Sequence, residues 1–258
     1  VTPRDRAQVF GEVAALYHRA RPEYPDAALA AAVATAPGTR VVEVGAGTGK
    51  ATVALAARGL HVVALEPDAR MAARCRANTE VAGDRVEVRT TTLEAAALPP
   101  AAFDLAVAAQ SWHWVDPDVG ADRLAAALRP GGGLALLWNW PGPTDDPALP
   151  GIRAAYERWA PELADANIRT AAQVLEPGHF APLLAGGRFE ELEPFECSWV
   201  QRYTGTEYAE LTQTHSPHRM LTPAARAGLA ADLVRAIDAV GGTTDYPYLT
   251  TVRRFRRS

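Results

Sequence analysis

The stretch "VVEVGAGTGKAT", residues 41–52, joins an apolar run to a helix-like run through a turn carrying Gly45, Gly47 and Gly49. Glycine lets backbone approach a ligand closely, and a strand that turns into a helix aims the helix N-terminus at whatever sits there. The ligand this turn accepts decides how the rest of the chain is read.

The flanks supply the frame. "RVVEV" from Arg40 reads as a short buried strand, "KATVALAARG" as a helix ended by Gly59, "HVVALE" as a second strand, and "DARMAARCRAN" as a helix with Asp68 at its N-cap. Residues 85–90 and 103–110 read as strands three and four. "DVGADRLAAALRPGGG" is a helix with a Pro-Gly stop, and "LALLWNW" is strand five. Ahead of the turn, residues 10–25 have helical spacing, and "DAALAAAVATA" is a second helix capped by Asp26. Strands alternating with helices at this spacing specify a parallel sheet with helices on both faces. The rhythm breaks after Trp140. Residues 152–175 read as helical, 188–200 as a strand, 207–221 and 224–240 as helices, and 243–257 as a last strand.

Three ligands compete for the glycine turn: a nucleoside triphosphate, a dinucleotide and S-adenosylmethionine. A phosphate loop has a glycine five positions before the glycine of its Gly-Lys pair and a Ser or Thr after the lysine. Val44 and Ala51 stand there. A dinucleotide fingerprint places its third glycine three after the second, whereas these glycines are spaced by two. Glu43 precedes the turn, where a carboxylate repels a pyrophosphate and attracts an ammonium and a sulfonium. Glu66 ends strand two, where an acidic side chain accepts both hydroxyls of a ribose. That position serves NAD and S-adenosylmethionine alike; Glu43 and the glycine spacing choose the second.

On these residues the chain resembles the class I S-adenosylmethionine-dependent methyltransferases, within them the bacterial small-molecule, type 11-like group. "VVEVGAGTGKATVALAARGLHVVALEPDARM" looks like the cofactor-binding half, and "FDLAVAAQSWHWVDP", "ALRPGGGLALLWNW", "YPYLTTVRRFRR" and the N-terminal "Y..ARP.YP" extend the likeness. The resemblance implies an α/β, Rossmann-like, seven-stranded, mostly parallel sheet whose last strand is antiparallel, with helices on both faces and helical cap elements. It implies a single methyltransferase domain over 1–258: an N-terminal helical lid (1–36), a cofactor-binding half (37–140), helical substrate-cap segments (141–187 and 201–242), and final strands (188–200 and 243–258). The implied cofactor is S-adenosylmethionine, with S-adenosylhomocysteine as product. Carried over by position, Glu43, Gly45, Ala46 and Gly47 line the amino-acid end of the donor, and Glu66 binds ribose. Pro67 and Met71 pack near the adenosine, Thr92, Leu93 and Glu94 lie by the adenine, and Gln110, Ser111 and Trp112 lie beside the methionine portion. Tyr17, with Arg21 and Tyr24 of the same lid, closes over the donor, and Arg21 or a tyrosine hydroxyl meets its carboxylate, or else Arg21 is a solvated helix-end charge and the tyrosines are packing.

A sulfonium methyl is already activated, so aligning a nucleophile and excluding water does most of the work. A base is needed only for a neutral hydroxyl. His113, in the loop after strand four, is the candidate catalytic base, or else part of an aromatic lid with Trp112 and Trp114. Acceptor contacts are expected from Tyr24, Trp114, Trp138, Asn139 and Trp140; two tryptophans flanking an amide suit an apolar acceptor with one polar handle. Tyr156 and Trp159 read as helix-face core, and His179, His215 and His218 lie in the added helical segments. His113 with Asp116 and Asp118, or His215 with His218, falls short of a metal-ligand set, so no metal is expected.

The composition sets the outer bounds. The 258 residues are 48% hydrophobic and 22% charged, ordinary for a globular domain, and a net charge of -4 supplies no general attraction to nucleic acid or anionic membrane. Cys75 and Cys197 form no paired motif. No apolar run nears the ~20 residues of a membrane span, and the first residues lack a signal-peptide core. The expectation is a cytoplasmic monomer or homodimer that methylates a small molecule at oxygen, on a hydroxyl or carboxyl group of a secondary metabolite. The alternatives are N- or C-methylation, methylation of RNA or protein, and a protein that holds the donor for another reaction or none.

Overall fold

The computed structural model describes residues 14–164 and 180–258. The parts of the expected helices at 10–13 and 165–175, together with His179, lie outside the described residues. The strands are Arg40–Val44 (β1), His61–Leu65 (β2), Val86–Arg89 (β3), Phe103–Ala109 (β4), Leu128–Pro141 (β5), Phe189–Thr204 (β6) and Thr243–Arg257 (β7). They form one sheet in the order β3-β2-β1-β4-β5-β7-β6. β1 pairs in parallel with β2 and β4, β2 with β3, and β4 with β5. The last strands run antiparallel, which gives the mixed Rossmann-like sheet the resemblance implies. From Val41 to Val44, β1 is buried at every residue, as is Phe103–Ala108 of β4, because helices cover both faces of the parallel part. The chain leaves β1 for one side of the sheet and returns to β4 on the other. The carboxyl ends of β1 and β4 therefore bound the crevice where open α/β sheets bind ligands.

The described helices are Ala14–Ala20 (α1), Asp26–Val33 (α2), Lys50–Ala57 (α3), Ala69–Thr79 (α4), Pro117–Ala127 (α5), Leu149–Trp159 (α6), Ala181–Leu184 (α7), Gly205–Gln213 (α8), Ser216–Arg219 (α9) and Pro223–Asp238 (α10). Asp68 caps α4 as its sequence suggests, accepting from the amides of Arg70 and Met71. Asp26 does not cap α2: Pro25 holds the cap position, and Asp26 lies in the first turn, where it pairs with Arg58. The helix expected over 207–221 is two. α8 starts earlier, at Gly205, because Thr204 and Glu207 form a reciprocal capping box, and Pro217 opens the separate turn of α9. β5 also starts early. "RPGGG" continues as strand through a register shift between the pairs Phe103/Leu128 and Leu105/Gly133.

The chain groups into two compact units. The sheet unit comprises Glu23–Asn139, Leu175–Cys197 and Thr250–Ser258; the helical unit comprises Val1–Pro22, Trp140–Val174 and Ser198–Leu249. Each has its own apolar core. That of the sheet unit includes Val41, Leu55, Val62, Leu105, Leu137 and Val252. That of the helical unit includes Ile152, Tyr156, Tyr208, Leu229, Leu233 and Ile237. Among the described residues no helix is long and apolar enough to cross a membrane.

Candidate functional site

The glycine turn follows β1 directly. Gly45 and Gly47 have φ of +68° and +59°, left-handed backbone that a side chain would strain. A Cβ on Gly45 would also stand 2.5 Å from the Cβ of Ser111, so the turn packs against the residue that follows β4 and Gln110. Ser111 Oγ donates to the carbonyl of Val44. The amides of Gly45 and Ala46 both donate to the carbonyl of Leu65, at 2.8 and 3.0 Å, and that of Gly49 donates to Ala46 at 2.9 Å. The amide of Gly47 donates to Glu66 Oε2 at 2.8 Å. The amides of Gly45, Ala46, Gly47 and Gly49 are thus engaged within the fold, one of them by a carboxylate. Lys50 is engaged as well, its Nζ 2.5 Å from Glu23 Oε1. This geometry removes the phosphate reading on grounds independent of glycine spacing.

Two carboxyl groups take the place of phosphate donors. Glu66, buried at the carboxyl end of β2, accepts from Gly47 on Oε2 and from the amide of Asp68 on Oε1, each at 2.8 Å. Each oxygen keeps a lone pair for a ligand hydroxyl. Burial pushes the Glu66 carboxyl up, and the two amide hydrogen bonds oppose the rise. Glu43 is 1% exposed and accepts from Thr52 Oγ1 at 2.6 Å. Burial pushes its carboxyl up to about 8 against that hydrogen bond, and the neighbouring Glu66 adds to the rise. A ligand bringing an ammonium to Glu43 would favour the ionised carboxylate, and a ribose diol matches the open lone pairs of Glu66. The residues present therefore fit a nucleoside that carries a free amino acid, such as S-adenosylmethionine.

The other expected residues divide by place. Met71 is buried, its Cε 3.7 Å from where a Cβ on Gly47 would lie; Pro67 is exposed and Ala46 buried. After β3, Leu93 is buried and Thr92 half-buried. Glu94 Oε1 accepts from the amide of Asp116 at 3.2 Å, which ties this segment to the loop after β4. Gln110 has φ of +59°, uncommon for a residue with a Cβ. Its amide donates to Leu137 at 2.9 Å and its Nε2 to the Asn139 carbonyl at 3.0 Å. Trp112 is buried against Gly120, a packing role. His113 is exposed, its ring 4.7 Å from that of Trp114. The structure thus gathers Glu43, the glycine turn, Glu66, Met71, Gln110 and Ser111 at the crevice after β1 and β4.

The acceptor-side residues are more scattered. The Asn139 amide is committed to the fold: Oδ1 accepts from Thr250 Oγ1 at 2.6 Å and Nδ2 donates to the Glu23 carbonyl at 3.2 Å. Trp138 is buried with Phe180 edge-on at 6.0 Å, and Tyr24 packs on the sheet unit's core. Tyr17 and Trp140 belong to the helical unit, where the Arg21 guanidinium lies 5.2 Å from the Tyr17 ring centroid. Thr52 was not singled out by sequence reasoning, although a signal existed: it sits in the buried stripe Ala51, Thr52, Leu55 and Ala56 of α3. A polar residue in such a stripe implies a buried partner.

A sheet that turns on glycines at its switch point, with an acidic residue closing the next strand, defines a nucleoside-cofactor-binding α/β protein. Residues 42–136 match the family described as methyltransferase domain. Trans-aconitate 2-methyltransferase of Rhodococcus jostii is 31% identical over 192 residues, covering 73% of this chain and 71% of that protein. An uncharacterized methyltransferase of Mycobacterium tuberculosis is 40% identical over 136 residues, 53% of this chain and 54% of that protein. The chain thus spans about half the length of that curated relative. A solved structure of a proposed type II methyltransferase from Anaeromyxobacter dehalogenans shares the fold, with a TM-score of 0.64 and 24% identity over 92% of this chain and 97% of that one. The chain belongs to the class I S-adenosylmethionine-dependent methyltransferases.

Proposed function

We propose that this protein binds S-adenosylmethionine at the crevice after β1 and β4 and transfers its methyl group to an oxygen, hydroxyl or carboxyl, of a small secondary metabolite in the cytoplasm. The observation that carries the reading is the turn itself: every amide traced in it is used internally, and two buried carboxyls flank it. That arrangement leaves a phosphate few amides to bind and suits an ammonium and a ribose. When bound, S-adenosylmethionine supplies an activated methyl group. Glu43 holds the ammonium, Glu66 the ribose hydroxyls, Met71 and Leu93 shield the nucleoside, and Gln110 and Ser111 fix the wall beside the methionine portion. His113 takes a proton from a hydroxyl acceptor. Oxygen is favoured because the relative from Rhodococcus is named for trans-aconitate, a carboxylic acid. We also read the chain as one methyltransferase domain and assign Tyr24 and Trp114, both of the sheet unit, to its acceptor wall.

The test is thermal stability of the purified protein with S-adenosylmethionine, S-adenosylhomocysteine, NAD and ATP in parallel. A ligand at 100 times its dissociation constant adds ~2.7 kcal/mol. Shifts with the first two alone support the reading. A shift with NAD or ATP alone removes it.

A further inference from the structure

Arg21 follows α1 in the helical unit and is placed unlike its neighbour. Arg19 pairs with Glu210 at 2.7 Å on the surface. Arg21 has no carboxylate partner among the described residues. Its Nη2 donates to the backbone carbonyl of Thr214 at 3.2 Å, the guanidinium lies over the Tyr17 ring, and Nε is shielded from solvent with no hydrogen-bond partner. Facing it are His215 and His218, their ring centroids 5.4 Å apart. His218 is 4% exposed; its Nε2 meets Tyr156 Oη at 2.8 Å, and its Nδ1 is buried without a partner. Burial first, then the Arg21 charge, lowers both imidazoles, His218 to about 4, so both are neutral at pH 7. The same charge reaches Tyr203, Tyr246 and Tyr248, and the Tyr203 and Tyr248 hydroxyls are 3.2 Å apart.

Arg21 is half-buried, and a partly desolvated guanidinium without a counter-anion is unfavourable, as is each buried donor left without a partner. Here two orphaned nitrogens, Arg21 Nε and His218 Nδ1, occur in one cluster of neutral donors around a single fixed positive charge. We propose that Arg21, His218 and the tyrosine hydroxyls around them form, within the helical unit, a binding site for the carboxylate of a small organic acid. The guanidinium fork matches a carboxylate in shape. One cation among neutral groups balances a monoanion and leaves a phosphate dianion half compensated.

The experiment measures binding to the full chain of cinnamate, with cinnamamide and inorganic phosphate as controls and S-adenosylhomocysteine as a separate arm. The wild-type chain is expected to bind cinnamate and not the amide, and Arg21→Gln to weaken cinnamate at least tenfold while S-adenosylhomocysteine binds unchanged. Arg21→Lys, which keeps the charge without the fork, should fall between. In the wild-type chain the His218 imidazole resonances should move with cinnamate and stay with cinnamamide, a readout that needs no variant to fold. Carboxylate binding unaffected by Arg21→Gln, or no carboxylate binding by the wild-type chain, overturns the proposal. So does phosphate binding more tightly than cinnamate. Loss of S-adenosylhomocysteine binding in Arg21→Gln also overturns it, by assigning the site to the carboxylate of the donor. Failure of the wild-type chain to bind S-adenosylhomocysteine, with carboxylate binding still lost in Arg21→Gln, removes the methyl-transfer reading and supports the carboxylate site.

Discussion

Replacing Glu43 by Gln isolates the electrostatic strain on which the donor site is built. The carboxyl is raised from 4.5 to about 8, whereas the unfolded chain ionises it at the ordinary value. Below about 4.5 the group is protonated in both states and is neutral to stability. As pH rises from there to about 8 the unfolded state gives up its proton first, so the folded wild-type protein loses stability over that window and no further above it. At ~1.4 kcal/mol per pKa unit, the loss is of order 5 kcal/mol. For a chain of this size, 1 kcal/mol shifts Tm by ~2–4 °C, so the effect is on the order of 10 °C. Gln never ionises and can still face Thr52. Melting curves of the two proteins from pH 4.5 to 8.5, followed by circular dichroism, should coincide at the acid end and separate as pH rises, with Glu43→Gln the more stable. Adding S-adenosylmethionine at pH 7.5 should stabilise the wild-type chain more than the variant, since an ammonium beside Glu43 recovers the penalty only where a carboxylate can form. Parallel Tm profiles across the whole range would refute the reasoning, and with it the claim that this carboxyl is held neutral until a cation arrives.

Gly45→Ala meets both a positive φ and the Ser111 Cβ at 2.5 Å, and should lower stability by at least ~2 kcal/mol in urea melts; adding Ser111→Gly should recover only the steric part. Glu66→Ala removes the acceptor of the Gly47 and Asp68 amides and should weaken S-adenosylhomocysteine at least tenfold by calorimetry. Affinity within twofold of wild type would exclude Glu66 from the ribose. His113→Ala should lower kcat ~100-fold or more on a hydroxyl acceptor and leave it unchanged on a carboxylate acceptor, which arrives already ionised. Thr204→Ala breaks the capping box of α8 and should destabilise by ~1 kcal/mol in denaturant.

The donor half was legible because short-range rules write it. Strand alternation, Asp68 as a cap and the positive-φ glycines are local backbone requirements, and the interval from Gly47 to Glu66 is set by one helix and one strand. Asp26 was misplaced because Pro25 satisfies the same boundary without a side chain, and "RPGGG" because a strand irregularity and a helix stop share their residues. Asn139 showed the opposite limit. Between two tryptophans it reads as a handle for a ligand, yet its amide is used by Thr250 and Glu23, partners that no spacing announces.

The Arg21 cluster lies beyond local rules altogether. Arg21 meets the Thr214 carbonyl across 193 residues, and Tyr156 meets His218 across 62. Each of these residues, taken alone, is an ordinary member of a helix or its end. His215 with His218 looked like half a metal site from spacing; Tyr156 occupies Nε2 of His218, and the charge facing the pair is a guanidinium, which disfavours a second cation. The same point bears on net charge. A chain at -4 is a poor host for a polyanion, because that requires a field spread over a surface. Recognition of one carboxylate requires only a single half-buried cation held among donors, and such a site leaves no trace in the overall balance of charge.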